Sequence, residues 1–148
     1  MSTNANISIY NEETKELKVI YCHWDGYLEE TGKKLSKFYT NKEKVEELIS
    51  NGYLSFLEKN ISPPLGEKHS FKKPFKDTCV FFKRDRGDIN VDAKIFNHVE
   101  FDKIYKYRSC EFMYVFLKDN ETGNYNWWYY DNKSIDLMRV LWYNIALN

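Results

Sequence analysis

The 148-residue sequence predicts a single α+β domain, residues 1–148, on a mainly antiparallel sheet built from two hairpins. Three observations carry that expectation. Two pairs of alternating, ring-rich segments are each joined by a short polar turn. A helix with its own start and stop signals lies between them. The segment from Ser134 onward repeats its apolar residues at helical spacing.

Taken in order, "NISIY" and "ELKVIYC" flank the polar turn "NEETK" as the first hairpin. Leu17, Val19 and Tyr21 fall on one face, and Ile20 and Cys22 on the other. Beyond Gly26 the period changes, and Leu28, Leu35, Phe38 and Tyr39 form the stripe of a short helix. In "TNKEKVEELISNG", Thr40 and Glu43 stand at capping-box spacing. Val45, Leu48 and Ile49 make the buried stripe, and Gly52 suits a left-handed stop. Three prolines and a glycine then predict a long tethered loop over about 59–77. "TCVFFKR" reads as a strand running into the charged turn "RDRGD". "EFMYVFLKD" and "NYNWWYYD", separated by "NETG", form the second hairpin. "SIDLMRVLWYNIAL" closes the chain as an amphipathic helix capped by Ser134, with Leu137 or Met138, Leu141, Trp142 and Ile145 along one side.

Twenty-two basic and twenty-two acidic residues leave no net charge, which argues against a global grip on duplex DNA and equally against an acidic nucleic-acid mimic. Cys22, Cys79 and Cys110 are far apart and form no C-x-x-C pair, so neither a zinc knuckle nor a disulfide framework is expected. No apolar run reaches a membrane-spanning length and the first residues lack a signal core, so the expected setting is the cytoplasm, with no membrane partner. Phe, Trp and Tyr make up 18% of the chain, enough either to build a core from rings or to stack flat ligands.

Three constellations could carry chemistry. In "YCHWDGY", His23 and Asp25 are two apart and could work as an acid–base couple or, with Asp85, ligate a hard metal; His98 and Glu100 repeat the spacing. The alternative is that His23 and Asp25 fix each other and orient Trp24. In "KRDRGD", Arg84 and Arg86 could clamp a phosphate or carboxylate, or else satisfy their own aspartates, Asp85 and Asp88. On "NYNWWYYD", Trp127 and Tyr129 share one strand face and Trp128 and Tyr130 the other, so one pair is a contact surface unless both faces are covered. No H-E-x-x-H, phosphate-cradling glycine loop or G-x-S-x-G occurs, and no cofactor is expected.

The stretch "CHWDGYLEETGKKLSKFYTNKEKVEELISNGYLSFL", with the opening "MSTN" and the later "RDRGD", resembles a family of small proteins encoded by tailed bacteriophages and prophages. The pattern begins M-S-T-R, continues C-H-W-D-G-Y-P, then a G-x-x-L helix, a K-V-x-x-L-I helix and R-D-R-G. This chain departs from it at Asn4, where arginine is usual, and at Leu28, where proline is. No activity attaches to the pattern, so no catalytic residue carries over. The resemblance implies a phage accessory protein acting on host machinery, including inhibition of a host antiviral defence system.

The expectation that follows is non-catalytic binding. One form sequesters a nucleotide-like signal with His23, Trp24, Asp25, Arg84, Arg86, Trp127 and Tyr129, in a pocket that could lie between subunits of a homo-oligomer. The other covers a host defence protein with the aromatic patch and the 61–77 loop. The alternatives are a metal-dependent phosphodiester hydrolase using His23, Asp25 and Asp85, and a single-stranded nucleic-acid module using the lysines, Phe71 and Phe75 of "KHSFKKPFK".

Overall fold

The computed structural model describes residues 3–140. They form one α+β domain with a strand-rich mixed sheet and a few short helices. The strands are β1 (Ala5–Asn11), β2 (Glu16–Cys22), β3 (Leu54–Phe56), β4 (Val80–Phe81), β5 (Lys94–Phe96), β6 (Phe112–Lys118), β7 (Tyr125–Tyr130) and β8 (Met138–Arg139). Across the sheet the order is β4-β3-β2-β1-β6-β7-β8, with β5 added beside β2.

β1 and β2 pair antiparallel from Ala5↔Cys22 to Asn11↔Glu16. Their turn is fixed by Asn11, whose Oδ1 accepts from the Glu13 and Thr14 amides at 2.9 and 3.2 Å. β6 and β7 pair antiparallel from Met113↔Tyr130 to Lys118↔Tyr125. The two ribbons meet through a parallel join of β1 to β6, Ala5↔Phe112 through Ile9↔Phe116. Both joined strands are buried on both faces, as parallel neighbours require. That join makes the sheet mixed and is the main departure from the antiparallel expectation.

One face carries Ala5, Ile7, Ile20, Tyr114, Phe116 and Trp127 under the helices. These are α1 (Lys33–Phe38), preceded by a π-type turn over Leu28–Gly32, and α2 (Lys42–Ser50). The α2 cap is Asn41, whose side chain accepts from the Lys44 amide, and not Thr40; Gly52 takes the left-handed stop at φ 80°. The other face buries Leu17, Val19, Met113, Val115 and Tyr130 beneath a 3-10 turn, Phe101–Tyr107. Buried phenols find acceptors: Tyr10 donates to Val99 O at 2.6 Å, Tyr39 to Glu58 O at 2.6 Å and Tyr114 to Gly26 O at 2.7 Å.

Two further expectations are corrected. The strand expected at "TCVFFKR" is only two residues long, because Phe82–Arg86 turn into a short helix, α3, stopped by Gly87 at φ 79°. The helix expected from Ser134 does not form over residues 134–140. Met138 and Arg139 pair instead with Tyr129 and Trp128, adding an edge strand that satisfies β7. The rest of that expected helix lies outside the described residues. Among the described residues no helix is long and apolar enough to cross a membrane.

Candidate functional site

The "YCHWDGY" corner is built by backbone bonds. Past the end of β2, the His23 and Trp24 amides donate to Leu54 O and Ser55 O at 3.0 and 2.9 Å, extending the pairing with β3. Asp25 then turns at φ 55°. Gly26 follows because there is no room for a side chain: a Cβ there would lie 2.7 Å from both the Ala5 Cβ and the Asn4 backbone carbon. The Asp25 carbonyl accepts from the Thr31 hydroxyl at 2.7 Å. His23 is fixed by Tyr21, its Nδ1 sharing a 2.7 Å hydrogen bond with the phenol, and not by Asp25. Trp24 stands edge-on to His23 with ring centres 4.7 Å apart and remains 47% exposed. The ring run continues from His23 to Tyr21 and on to Tyr53, each step 5.8 Å.

Arg84 and Arg86 do not reach this corner as a free clamp. Arg84 donates to both Asp85 carboxylate oxygens, at 2.9 and 3.1 Å, and to Ile61 O and Cys79 O at 2.8 and 3.0 Å. Arg86 pairs with Asp88 through two bonds of 2.9 and 2.8 Å and lies over the Phe71 and Phe82 rings. Burial pushes the Asp85 carboxyl up. The Arg84 hydrogen bonds, the Phe81 amide and the Arg84 charge, with the nearby His69 ring as the smallest contribution, together outweigh it, leaving the group below the usual carboxylate range. The self-satisfied turn is therefore what the sequence builds here.

Trp127 is 3% exposed and donates from Nε1 to Tyr39 O at 2.8 Å. Tyr129 is half-buried beside Tyr114, and Trp128 packs against the opposite core. Both faces of β7 are covered, so its rings are core. Of the seven residues singled out as ligand-binding, only His23 and Trp24 touch one another. The proposed metal set disperses: His23 is held by Tyr21 and Asp85 by Arg84. Among the described residues no group of three His, Cys, Asp or Glu is placed to hold a metal. His98 is at φ 59° and Glu100 pairs with Lys15 at 2.9 Å, so that second pair is not a strand pair either.

Two features went unread or half-read in the sequence. The first is how the 62–77 loop is held. Its base closes through Asn60 N to Asp77 O and Cys79 N to Asn60 O, at 2.9 and 2.8 Å. His69 is its internal pin. Nδ1 accepts from the Phe75 amide at 2.8 Å, so the ring's own proton sits on Nε2, 3.4 Å from Asp85 Oδ2, and both side chains are about 95% buried. Phe71 packs beside Phe82 with ring centres 5.9 Å apart, and the Arg86 guanidinium lies over both rings. Left outside are Lys68, Lys72, Lys73 and Lys76, all exposed, and a tip, Pro63-Pro64-Leu65-Gly66, on which Leu65 has no cover at all.

The second feature is a groove of about 440 Å³ on the face opposite α1 and α2. Tyr21 and Tyr53 form one wall, and Phe96 and Tyr107, with ring centres 4.6 Å apart, form the other. Lys94, Lys106 and Arg108 stand around it. Of this set, Tyr21 carried a signal in the sequence through its alternation with Val19, and Tyr107 counted only among the general supply of rings; the groove itself is assembled from segments separated along the chain.

No protein-family model matches the chain, and neither the curated proteins nor the solved structures contain a significant match to it.

Proposed function

We propose that the chain is a non-catalytic binding protein that docks through its 62–77 loop onto an acidic surface of a partner protein, the partner being host machinery of the antiviral-defence kind that the phage resemblance implies. The observation that carries this is the pinned loop. It carries four exposed lysines against two exposed carboxylates, Glu67 and Asp77, and a fully exposed leucine stands at the tip. An apolar anchor ringed by charge is how protein interfaces concentrate their affinity. Holding the loop rigid beforehand lowers the ordering cost of docking, a benefit that a fluid membrane surface does not reward.

Single-stranded nucleic acid fits less well. Its stacking rings would have to be Phe71 and Phe75, yet Phe71 is already taken up by Arg86 and Phe82, and Phe75 is half-buried. Selection of a random-peptide display library on the immobilised protein tests the reading. Enriched peptides should carry Asp or Glu around an apolar residue. Their binding should fall about tenfold for Leu65→Ser, and similarly for Lys72→Glu combined with Lys73→Glu. Peptides without acidic residues, or peptides indifferent to both variants, would overturn it; so would anionic vesicles or oligothymidine binding the loop more tightly than any peptide.

A further inference from the structure

The groove between β5 and the end of the 3-10 turn is a second, separate matter, requiring neither the loop nor a protein partner. Its charge is the first point. Lys94, Lys106 and Arg108 line it, and no aspartate or glutamate does. Among the described residues, the side chains of Lys94 and Lys106 make neither an ion pair nor a hydrogen bond. Arg108 is held, but by carbonyl oxygens of Asp131, Asn132 and Ser134, which fix the guanidinium without cancelling its charge.

The molecule contains its own control. A groove of similar size, about 430 Å³, lies under α2 and is lined by Lys18 and Lys42 as well. There each lysine has a glutamate, Glu16 at 3.6 Å and Glu46 at 3.9 Å. In a chain with as many acids as bases, three cations left together without a carboxylate make a local positive field.

The walls are the second point. An inorganic anion would be served by the cations alone, whereas this groove sets them between two pairs of rings, Tyr21 with Tyr53 and Phe96 with Tyr107. Rings offer flat apolar contact to a planar heterocycle, and cations beside them offer charge to phosphate. At the base of the groove, Asn6 and Ser109 bond each other at 2.9 and 3.0 Å and present a small polar floor. The volume is within the usual range for small-ligand sites, which run from about 300 to 1,000 Å³.

We infer that this groove is a nucleotide site: the heterocycle lies between the tyrosine and Phe96–Tyr107 walls, its phosphate against Lys94, Lys106 and Arg108, and the ligand is held without being turned over. The ring run from Tyr21 through His23 to Trp24 forms an aromatic lip beside it.

Calorimetric titration of the full chain with ATP, cyclic AMP and a cyclic dinucleotide, beside pyrophosphate and an oligothymidine, tests it. At least one nucleotide should bind about tenfold or more tightly than pyrophosphate and be recovered intact after heat release. Lys94→Glu with Lys106→Glu should weaken that binding at least about tenfold and flatten its salt dependence, since both side chains are exposed and the fold does not need them. Tyr53→Leu should weaken it through the lost ring while circular dichroism stays native, and Leu65→Ser should leave it unchanged. Nucleotides no tighter than pyrophosphate, or affinity indifferent to the lysine pair, overturn the inference. Affinity that grows with oligothymidine length assigns the groove to single strands instead, and product accumulating beyond one equivalent assigns it to an enzyme; either result overturns capture of a free nucleotide.

Discussion

Two clusters of positive charge, successive along the chain, have opposite fates. In α3 and the turn after it, Arg84 and Arg86 each pair with an aspartate one or two positions away. In the groove, Lys94, Lys106 and Arg108 have no carboxylate among the described lining residues. The first cluster is dense in sequence and spent on structure; the second is scattered in sequence and left open. Clustering of a residue type along a chain therefore says little about availability, which is decided by whether partners of opposite charge are folded against it. The rings divide in the same way. Trp127 and Tyr39 are sealed in the core and bonded to each other, while Trp24 stands half in solvent.

The division can be broken most sharply at the rings. Trp127→Ala removes a buried indole and the bond to Tyr39 O, and should cost about 4 kcal/mol in a denaturant titration. Trp24→Ala, on the open lip, should cost about 0.5 kcal/mol or less. Similar losses for the two would mean that both rings are structural. Next in size is Asp85→Ala, which strands Arg84 and orphans the Phe81 amide. It should cost about 3 kcal/mol by the same measurement, discounted from the fully buried case because Arg84 is partly exposed. A loss below about 1 kcal/mol would mean the turn is not held by its internal pairing.

How much of this was legible follows from the range of the forces involved. β1, β2, β6 and β7 were readable because side-chain alternation is a local signal, and α2 because its stripe and glycine stop lie within a dozen residues. The α2 cap went one residue astray, to Thr40 instead of Asn41, since both residue types cap well and only geometry separates them. The parallel join of β1 to β6 spans more than a hundred residues, and nothing in either segment announces it. The stretch 134–140 carries helical periodicity, but the unpaired edge of β7 supplied hydrogen bonds that outcompeted it. The site suffered the same limitation. His23 and Trp24 touch because they are neighbours in sequence, whereas the groove draws on β1, β2, β5, the residue before β3 and the end of the 3-10 turn.

Acid sharpens the contrast by sign. The Asp85 carboxyl titrates below its unfolded value, so its stabilisation is complete above the unfolded pKa near 4 and is lost as pH falls through the folded value. The groove has no lining carboxylate to lose. Urea midpoints taken from neutral pH downward should therefore fall less in Asp85→Asn than in the natural chain, while Lys94→Gln should track the natural chain throughout. An equal acid loss in Asp85→Asn and the natural chain would show that the stability lost in acid comes from other carboxylates.

The smallest expected effect carries the clearest sign. If Lys94, Lys106 and Arg108 repel one another across the groove, replacing one of them by an acid relieves that repulsion and installs an attraction. Lys106→Glu should therefore leave stability unchanged or raise it, by up to about 0.5 kcal/mol at low salt, and the gain should fade as salt screens the groove. Reversing charge in the neighbouring turn, Arg84→Glu, has to do the opposite, placing two carboxylates side by side where one is already almost sealed from water. A drop of more than about 1 kcal/mol for Lys106→Glu would mean that its ammonium already has a partner, and the charge of the groove would then be structural, like that of the turn.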